Sequence, residues 1–224
     1  MEPILEIENV SLQFGGVKAL DSVTYHINQG EIFSLIGPNG AGKTSMLNCI
    51  SGLYQPTNGS IRYKGQEIIN MKPYNRTNLG MARAFQNIAL FAHMSVLDNL
   101  KLGRHSLMKS GIFDGGLYVG KASKEEIDHR QKVEEVIEFL DLQDIRHTPV
   151  GTLSYGLQKR VEVGRALALN PELILLDEPM AGMNNAEKDM MARFILDMHE
   201  VMGTTVVLIA VSYTHLTLPT TILV

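Results

Sequence analysis

The feature that most constrains this chain is the octet Gly37-Pro38-Asn39-Gly40-Ala41-Gly42-Lys43-Thr44, set between the apolar run Glu31 to Ile36 and a helix-like segment from Lys43 to Leu53. A G-x-x-x-x-G-K-T run between a strand and a helix is a phosphate-binding loop. The glycines remove Cβ atoms, so successive backbone N–H groups can turn toward phosphate oxygens. The helix N-terminus that follows adds unpaired donors and a partial positive charge. Lys43 is placed to reach the β and γ phosphates, and Thr44 offers a hydroxyl to Mg2+, a hard cation that shares its shell between protein, water and phosphate oxygens. A chance glycine-rich turn competes poorly, because four positions are fixed and the strand-before, helix-after context is also present. The expected ligand is a nucleoside triphosphate.

With 224 residues, 45% of them hydrophobic, the chain has ample material for a core. The formal net charge of −4 provides no overall electrostatic footprint for nucleic acid, and no nucleic-acid partner is expected. Cys49 is alone, and no charged-then-apolar leader opens the chain, which points to a reducing, cytosolic compartment. No apolar run approaches the ~20 residues of a membrane span, so a membrane role would come through a partner. The histidines form no H-x-x-x-H or Cys/His cluster, which leaves a protein-built zinc site without support.

Ile4 to Phe14 and Val23 to Ile27 read as strands of an antiparallel flap ahead of the phosphate loop. Phe14, just before Gly15-Gly16, is equally suited to stack on adenine or to fill a core. Ser60 to Lys64 reads as a short strand, and Met81 to Phe85 as another that runs into Gln86. From there the amide of Gln86 has reach toward a metal or an attacking water. Ser95 to Lys124 reads as an irregular, glycine-containing connection. Ser123 to Glu126 has the pattern of a capping box, and Ile127, Val133, Val136, Ile137 and Leu140 make a helical apolar stripe after it.

Leu153 to Gln158 opens a helix that continues to about Leu169. The four apolar residues Leu173 to Leu176, a strand covered on both faces, then end in Asp177-Glu178-Pro179. Two carboxylates at the end of a buried strand need a counter-charge, and Mg2+ beside the phosphates would supply one. A last helix spans about Asn185 to Val201, with Met190, Met191, Phe194, Ile195, Met198 and Val201 as its core side. Thr204 to Ala210 reads as one more buried strand.

Taken in this order, the segments from Ile4 to Ala210 resemble the ATP-binding subunit of ABC transporters. Gly37 to Thr44 matches that family's Walker A loop, Gln86 its Q-loop, and Leu153 to Gln158 its signature. Ile174 to Asp177 matches the Walker B strand, Glu178 the catalytic glutamate, and Ala181-Gly182-Met183-Asn184 the D-loop. Phe14-Gly15-Gly16, the tyrosine in the signature, the Ala-Gly-x-Asn D-loop and the glycine-rich insertion are most similar to Liv-type importers of branched-chain amino acids. The resemblance implies an α/β fold: a P-loop NTPase with an ABC-type antiparallel β flap, a mostly parallel core sheet and an inserted helical subdomain at roughly 87–160, all within 1–210.

The same resemblance implies ATP contacts at Phe14, Gly37, Pro38, Asn39, Gly40, Ala41, Gly42, Lys43, Thr44 and Ser45. Ser154 and Gly156 would contact the ATP held by a second ATP-binding subunit. Thr44, Gln86 and Asp177 would serve Mg2+, and Glu178, Lys43 and Gln86 would carry catalysis. Membrane permease subunits are the implied partners, holding the protein peripherally at the cytoplasmic face of the membrane.

Three departures stand out. Tyr155 replaces a small signature residue, and Leu157 stands where glutamine is common. After Ala210, where the family places a switch histidine, the chain has Val211 and an ending, 211–224, that resembles translated adapter read-through more than family sequence; His215 has no matching neighbours there. The alternatives are an ABC-type ATPase without a membrane partner, or a nucleotide-binding fragment with little turnover. A GTPase would need an N-K-x-D run, which the sequence lacks.

Overall fold

A computed structural model describes residues 2–104, 121–210 and 220–223. Its first layer is an antiparallel flap built from β1 (Pro3–Phe14), β2 (Val17–Asn28), β4 (Asn58–Tyr63) and β5 (Gln66–Glu67), in the order β2-β1-β4-β5. Its second is a parallel sheet of β6 (Met81–Ala84), β7 (Leu173–Asp177), β8 (Thr205–Ala210), β3 (Ile32–Ile36) and β9 (Thr220–Leu223), in the order β6-β7-β8-β3-β9. Every residue of β3 and β7 is buried, as a strand covered on both faces requires.

The period of two sorts these strands between two cores. Ile32, Ile174, Leu176, Val206 and Leu208 face a helical layer, while Phe33, Leu35, Leu173, Leu175, Val207 and Ile209 face the flap and the helix α1 (Lys43–Ser51). The helical layer consists of α3 (Val96–Arg104), α4 (Lys121–Phe139), α5 (Tyr155–Leu167) and α6 (Asn185–Glu200). A short α2 (Pro73–Asn78) precedes β6. All the parallel strands point one way, so their carboxyl ends share one edge of the sheet, the usual place for a ligand in such a fold.

Three sequence expectations change. Val96–Arg104 is a helix, not irregular chain: Ser95 Oγ accepts from the Asp98 amide at 3.1 Å, and buried Asn99 donates to the carbonyls of Phe91, Met94 and Ser95. The rest of that connection, 105–120, lies outside the described residues. The helix carrying Ser123 already begins at Lys121, so Ser123 is inside it and cannot cap it. Ile127, Met190 and Val201 are exposed, because the stripes of α4 and α6 are narrower than the periodicity implied; Val133, Val136, Ile137, Leu140, Met191, Phe194, Ile195 and Met198 are the buried ones. Within the unusual ending, Thr220–Leu223 pairs in parallel with β3 from Phe33 to Ile36; Val211 and His215 lie outside the described residues.

Candidate functional site

The phosphate loop leaves β3 at the carboxyl edge of the parallel sheet. In the register, Leu35 of β3 and Asp177 of β7 both pair with Ile209 of the intervening β8. Two strand spacings of about 4.8 Å therefore separate the end of β3 from the Asp177 carboxylate, level with it along the sheet. A segment at 37–44 and a carboxylate at 177 are brought to one edge by β8, which is remote from both in sequence.

Two glycines of the loop are demanded by geometry. Gly40 and Gly42 both sit at φ +88°, and a Cβ on Gly42 would lie 2.4 Å from the Ala19 carbonyl oxygen of β2. The loop is thus pressed against the flap. Lys43 is buried, and its Nζ donates to the carbonyls of Gly37 at 2.7 Å and Pro38 at 2.8 Å. Its ammonium lies inside the curl of the loop. Pro38, Asn39, Gly40 and Thr44 are exposed, and Ala41, Gly42 and Ser45 are half-buried. No side chain caps α1 and no acidic residue stands in its first turn, so its positive end faces outward uncompensated. Phe14 is 49% exposed at the flap's end, with its ring edge-on to Tyr54, the centroids 5.1 Å apart. Its outer face is open to an aromatic ligand; Tyr54, on the turn after α1, gave no sequence signal for this pairing.

The two carboxylates differ in setting. Asp177 is buried; its Oδ2 accepts from Arg83 Nη2 at 3.0 Å, while its Oδ1 is buried without a hydrogen-bonding partner. An orphaned carboxylate oxygen at this edge is a hard donor of the kind Mg2+ or its bound water takes. Among the described residues no three His, Cys, Asp or Glu side chains cluster as a metal cage. An ion held here would draw most of its shell from phosphate and water. Glu178 is half-buried with φ +48°, a left-handed backbone for a residue with a Cβ. That bend turns its carboxylate out of the strand, where Oε2 accepts from Gln86 Nε2 at 2.9 Å. Gln86 thus meets Glu178 directly.

The Ser154 hydroxyl caps α5, accepting from the Leu157 amide at 3.4 Å. Gly156 is buried for a reason the motif did not reveal: a Cβ there would lie 2.3 Å from Glu187 Oε1. Glu187 and Asn184 form the capping box of α6, with the Glu187 amide donating to Asn184 Oδ1 at 2.9 Å and the Asn184 amide to Glu187 Oε2 at 3.1 Å. The signature and the D-loop helix therefore touch within one chain. Tyr155 packs its ring over Gly182 of the D-loop, where a Cβ would lie 3.0 Å from Tyr155 Cε1, so the larger signature residue has a seat.

Sequence reasoning missed three charged groups behind the site. Arg83 binds Asn48 Oδ1 at 2.7 Å and Ser51 Oγ at 2.8 Å as well as Asp177. Lys159 and Glu162 are buried on α5, 3.7 Å apart. Burial pushes the Lys159 ammonium down and the Glu162 carboxyl up from their ordinary ranges, each partly offset by the other. A charged residue within a strand or helix looks like a solvated face until the opposite layer is known.

A family model described as ABC transporter matches residues 20–181. The chain is similar to the high-affinity branched-chain amino acid transport ATP-binding protein BraF of Pseudomonas aeruginosa, with 34% identity over 92% of this chain and 81% of that protein. Among solved structures it is similar to an ATP-binding cassette of an ABC transporter in its ADP conformation, with TM-score 0.81 and 32% identity, covering 95% of this chain and 83% of that one. A dimeric ATP-binding cassette bound to ADP and Pi is also similar, with TM-score 0.74 and 29% identity over 92% of this chain and 87% of that one.

Proposed function

The chain belongs to the ABC transporter family and is an ATP-hydrolysing subunit that powers transport; we propose that the transport is import of branched-chain amino acids or related small polar solutes. The observation that carries the site reading is the shared level of the phosphate loop's origin and Asp177, with Glu178 one residue on and within reach of Gln86. Phosphoryl transfer to water needs little covalent chemistry from protein and much positioning and charge stabilisation, which such an edge supplies.

In this reading Phe14 stacks on adenine, and the backbone of Gly37, Pro38, Asn39, Gly40, Ala41 and Gly42 holds the phosphates with Lys43, Thr44 and Ser45. Lys43 exchanges its two carbonyl partners for phosphate oxygens, a stronger match of charge. Thr44, Asp177 and Gln86 would hold Mg2+, which would supply positive charge beside the phosphates. Glu178 orients and polarises the attacking water, and the Gln86 amide keeps its carboxylate aimed. Ser154 and Gly156 present the positive end of α5 to the γ-phosphate of ATP bound by a second ATP-binding subunit. The similarity to a dimeric cassette supports that arrangement.

None of the described helices is long and apolar enough to cross a membrane. Residues 1–210 would form the ATP-binding domain, its helical part at about 87–160 docking on permease subunits at the cytoplasmic face, and 211–224 would not be family sequence, although Thr220–Leu223 pairs with β3. Direct titration of Lys43→Ala with ATP tests the site. We expect affinity about 10- to 100-fold weaker, the equivalent of a charged hydrogen bond of ~1.5–3 kcal/mol. Unchanged affinity would overturn the assignment.

A further inference from the structure

Lys159 is 2% exposed, yet it carries a charge into the interface between α5 and the segment after β6. Its Nζ donates to the Phe85 carbonyl at 3.0 Å and to the Gln86 carbonyl, and it faces Glu162 at 3.7 Å. Glu162 is 1% exposed, and the Phe85 and Ala89 backbone groups face its carboxylate. One turn further on, Arg165 Nη1 donates to the Ala89 carbonyl at 2.6 Å. Three charged side chains at i, i+3 and i+6 of one helix therefore engage one five-residue backbone stretch. The gap bounded by Phe85, Lys159, Glu162, Asp177 and Pro179 has no room for a water molecule.

If α5 only had to pack here, an apolar side chain would do so without desolvating an ammonium and a carboxylate. Hydrogen bonds to two successive carbonyls do something that apolar contact cannot, which is to fix where that backbone sits along the helix. The residue so fixed is Gln86, whose side chain meets Glu178.

We propose that Lys159 is a positioning residue that makes the Gln86 backbone ride on α5, so that a displacement of the signature end of that helix is delivered through the Gln86 amide to Glu178. Lys159 has no part in the proposed phosphate or water contacts; it acts by holding Gln86. The inference rests on the proposed roles of Gln86 and Glu178, but its geometric half does not.

The test uses the full chain with Lys159→Met, the charge-free pair Lys159→Met with Glu162→Leu, and each of these combined with Gln86→Ala. ATP affinity by direct titration should stay within about twofold of the parent, while kcat falls about tenfold and Gln86→Ala costs nothing further in the combined variants. Hydrogen exchange at the Gln86 and Asn87 amides should quicken at least tenfold, with α1 unchanged. The charge-free pair removes the risk that a stranded Glu162 unfolds the protein. Unchanged kcat, losses that add to those of Gln86→Ala, or an equal loss of ATP affinity would each overturn the coupling. Unchanged exchange at Gln86 would overturn it even in a chain that does not turn over. Failure of the nucleotide reading shows separately, in Lys43→Ala.

Discussion

Arg83 and Asp177, 94 positions apart in sequence, form a buried ion pair, Nη2 to Oδ2 at 3.0 Å, on the adjacent strands β6 and β7. The same guanidinium bonds Asn48 and Ser51 on the helix that follows the phosphate loop. One side chain thus ties that helix to the strand ending in the candidate metal carboxylate. It occupies one oxygen of Asp177 and leaves the other buried without a hydrogen-bonding partner.

Arg83→Met should destabilise the fold by about 3–5 kcal/mol, because it leaves the Asp177 carboxylate buried without its counter-charge. Adding Asp177→Asn should restore at least half of that loss, since a neutral amide costs less to bury. Urea unfolding of the two variants and Asp177→Asn alone measures both effects; additive losses would show that the pair is not the coupling.

Glu178→Gln should keep ATP affinity and lower turnover about 10²–10⁴-fold, the usual contribution of a positioned general base. Glu178→Gly should abolish turnover while raising stability by about 1 kcal/mol, because φ +48° is strained for glutamate and free for glycine. Parental turnover in the first variant, or a lower melting temperature in the second, would contradict the role or the strain.

Gly156→Val should weaken the fold by about 0.5–2 kcal/mol, the worth of a helix cap, as the new side chain pushes Glu187 out of its capping box. It should also prevent ATP-dependent dimerisation, read by light scattering in the Glu178→Gln background. Glu187→Ala alone should cost similar stability, yet dimerise; a dimer that survives Gly156→Val would show that this end of α5 does not meet a partner's phosphate.

The strand Thr205–Ala210 ends where the family resemblance places a histidine, and the chain has valine at 211. If that histidine stabilises charge on the γ-phosphate, Val211→His should raise turnover on the order of 10²-fold, the usual effect of one such donor. Steady-state ATPase rates of the two chains decide this, with ATP affinity expected to be equal.

The amino-acid sequence alone determined the phosphate loop, the carboxylates at 177 and 178, and the strands of both sheets except β5 and β9. Those signals are local: Gly40 and Gly42 are required by the turn they make, and four apolar residues before Asp177 suffice to mark a strand covered on both faces. The proposed role of Ser154 came only through resemblance to a family, since one serine carries no local pattern, whereas that of Gln86 came from its place at a strand end together with the resemblance. The tertiary structure alone decided how the charged residues pair. Arg83, Lys159 and Glu162 look like ordinary polar positions on their own elements, and they become buried only when β7 and the segment after β6 close over them. The same holds for Gly156, whose missing Cβ is explained by Glu187, 31 positions away in sequence, and for Tyr155 seated on Gly182. Electrostatic pairing and steric exclusion act through space over a few ångströms, and residues remote along the chain come within that range only when the layers pack.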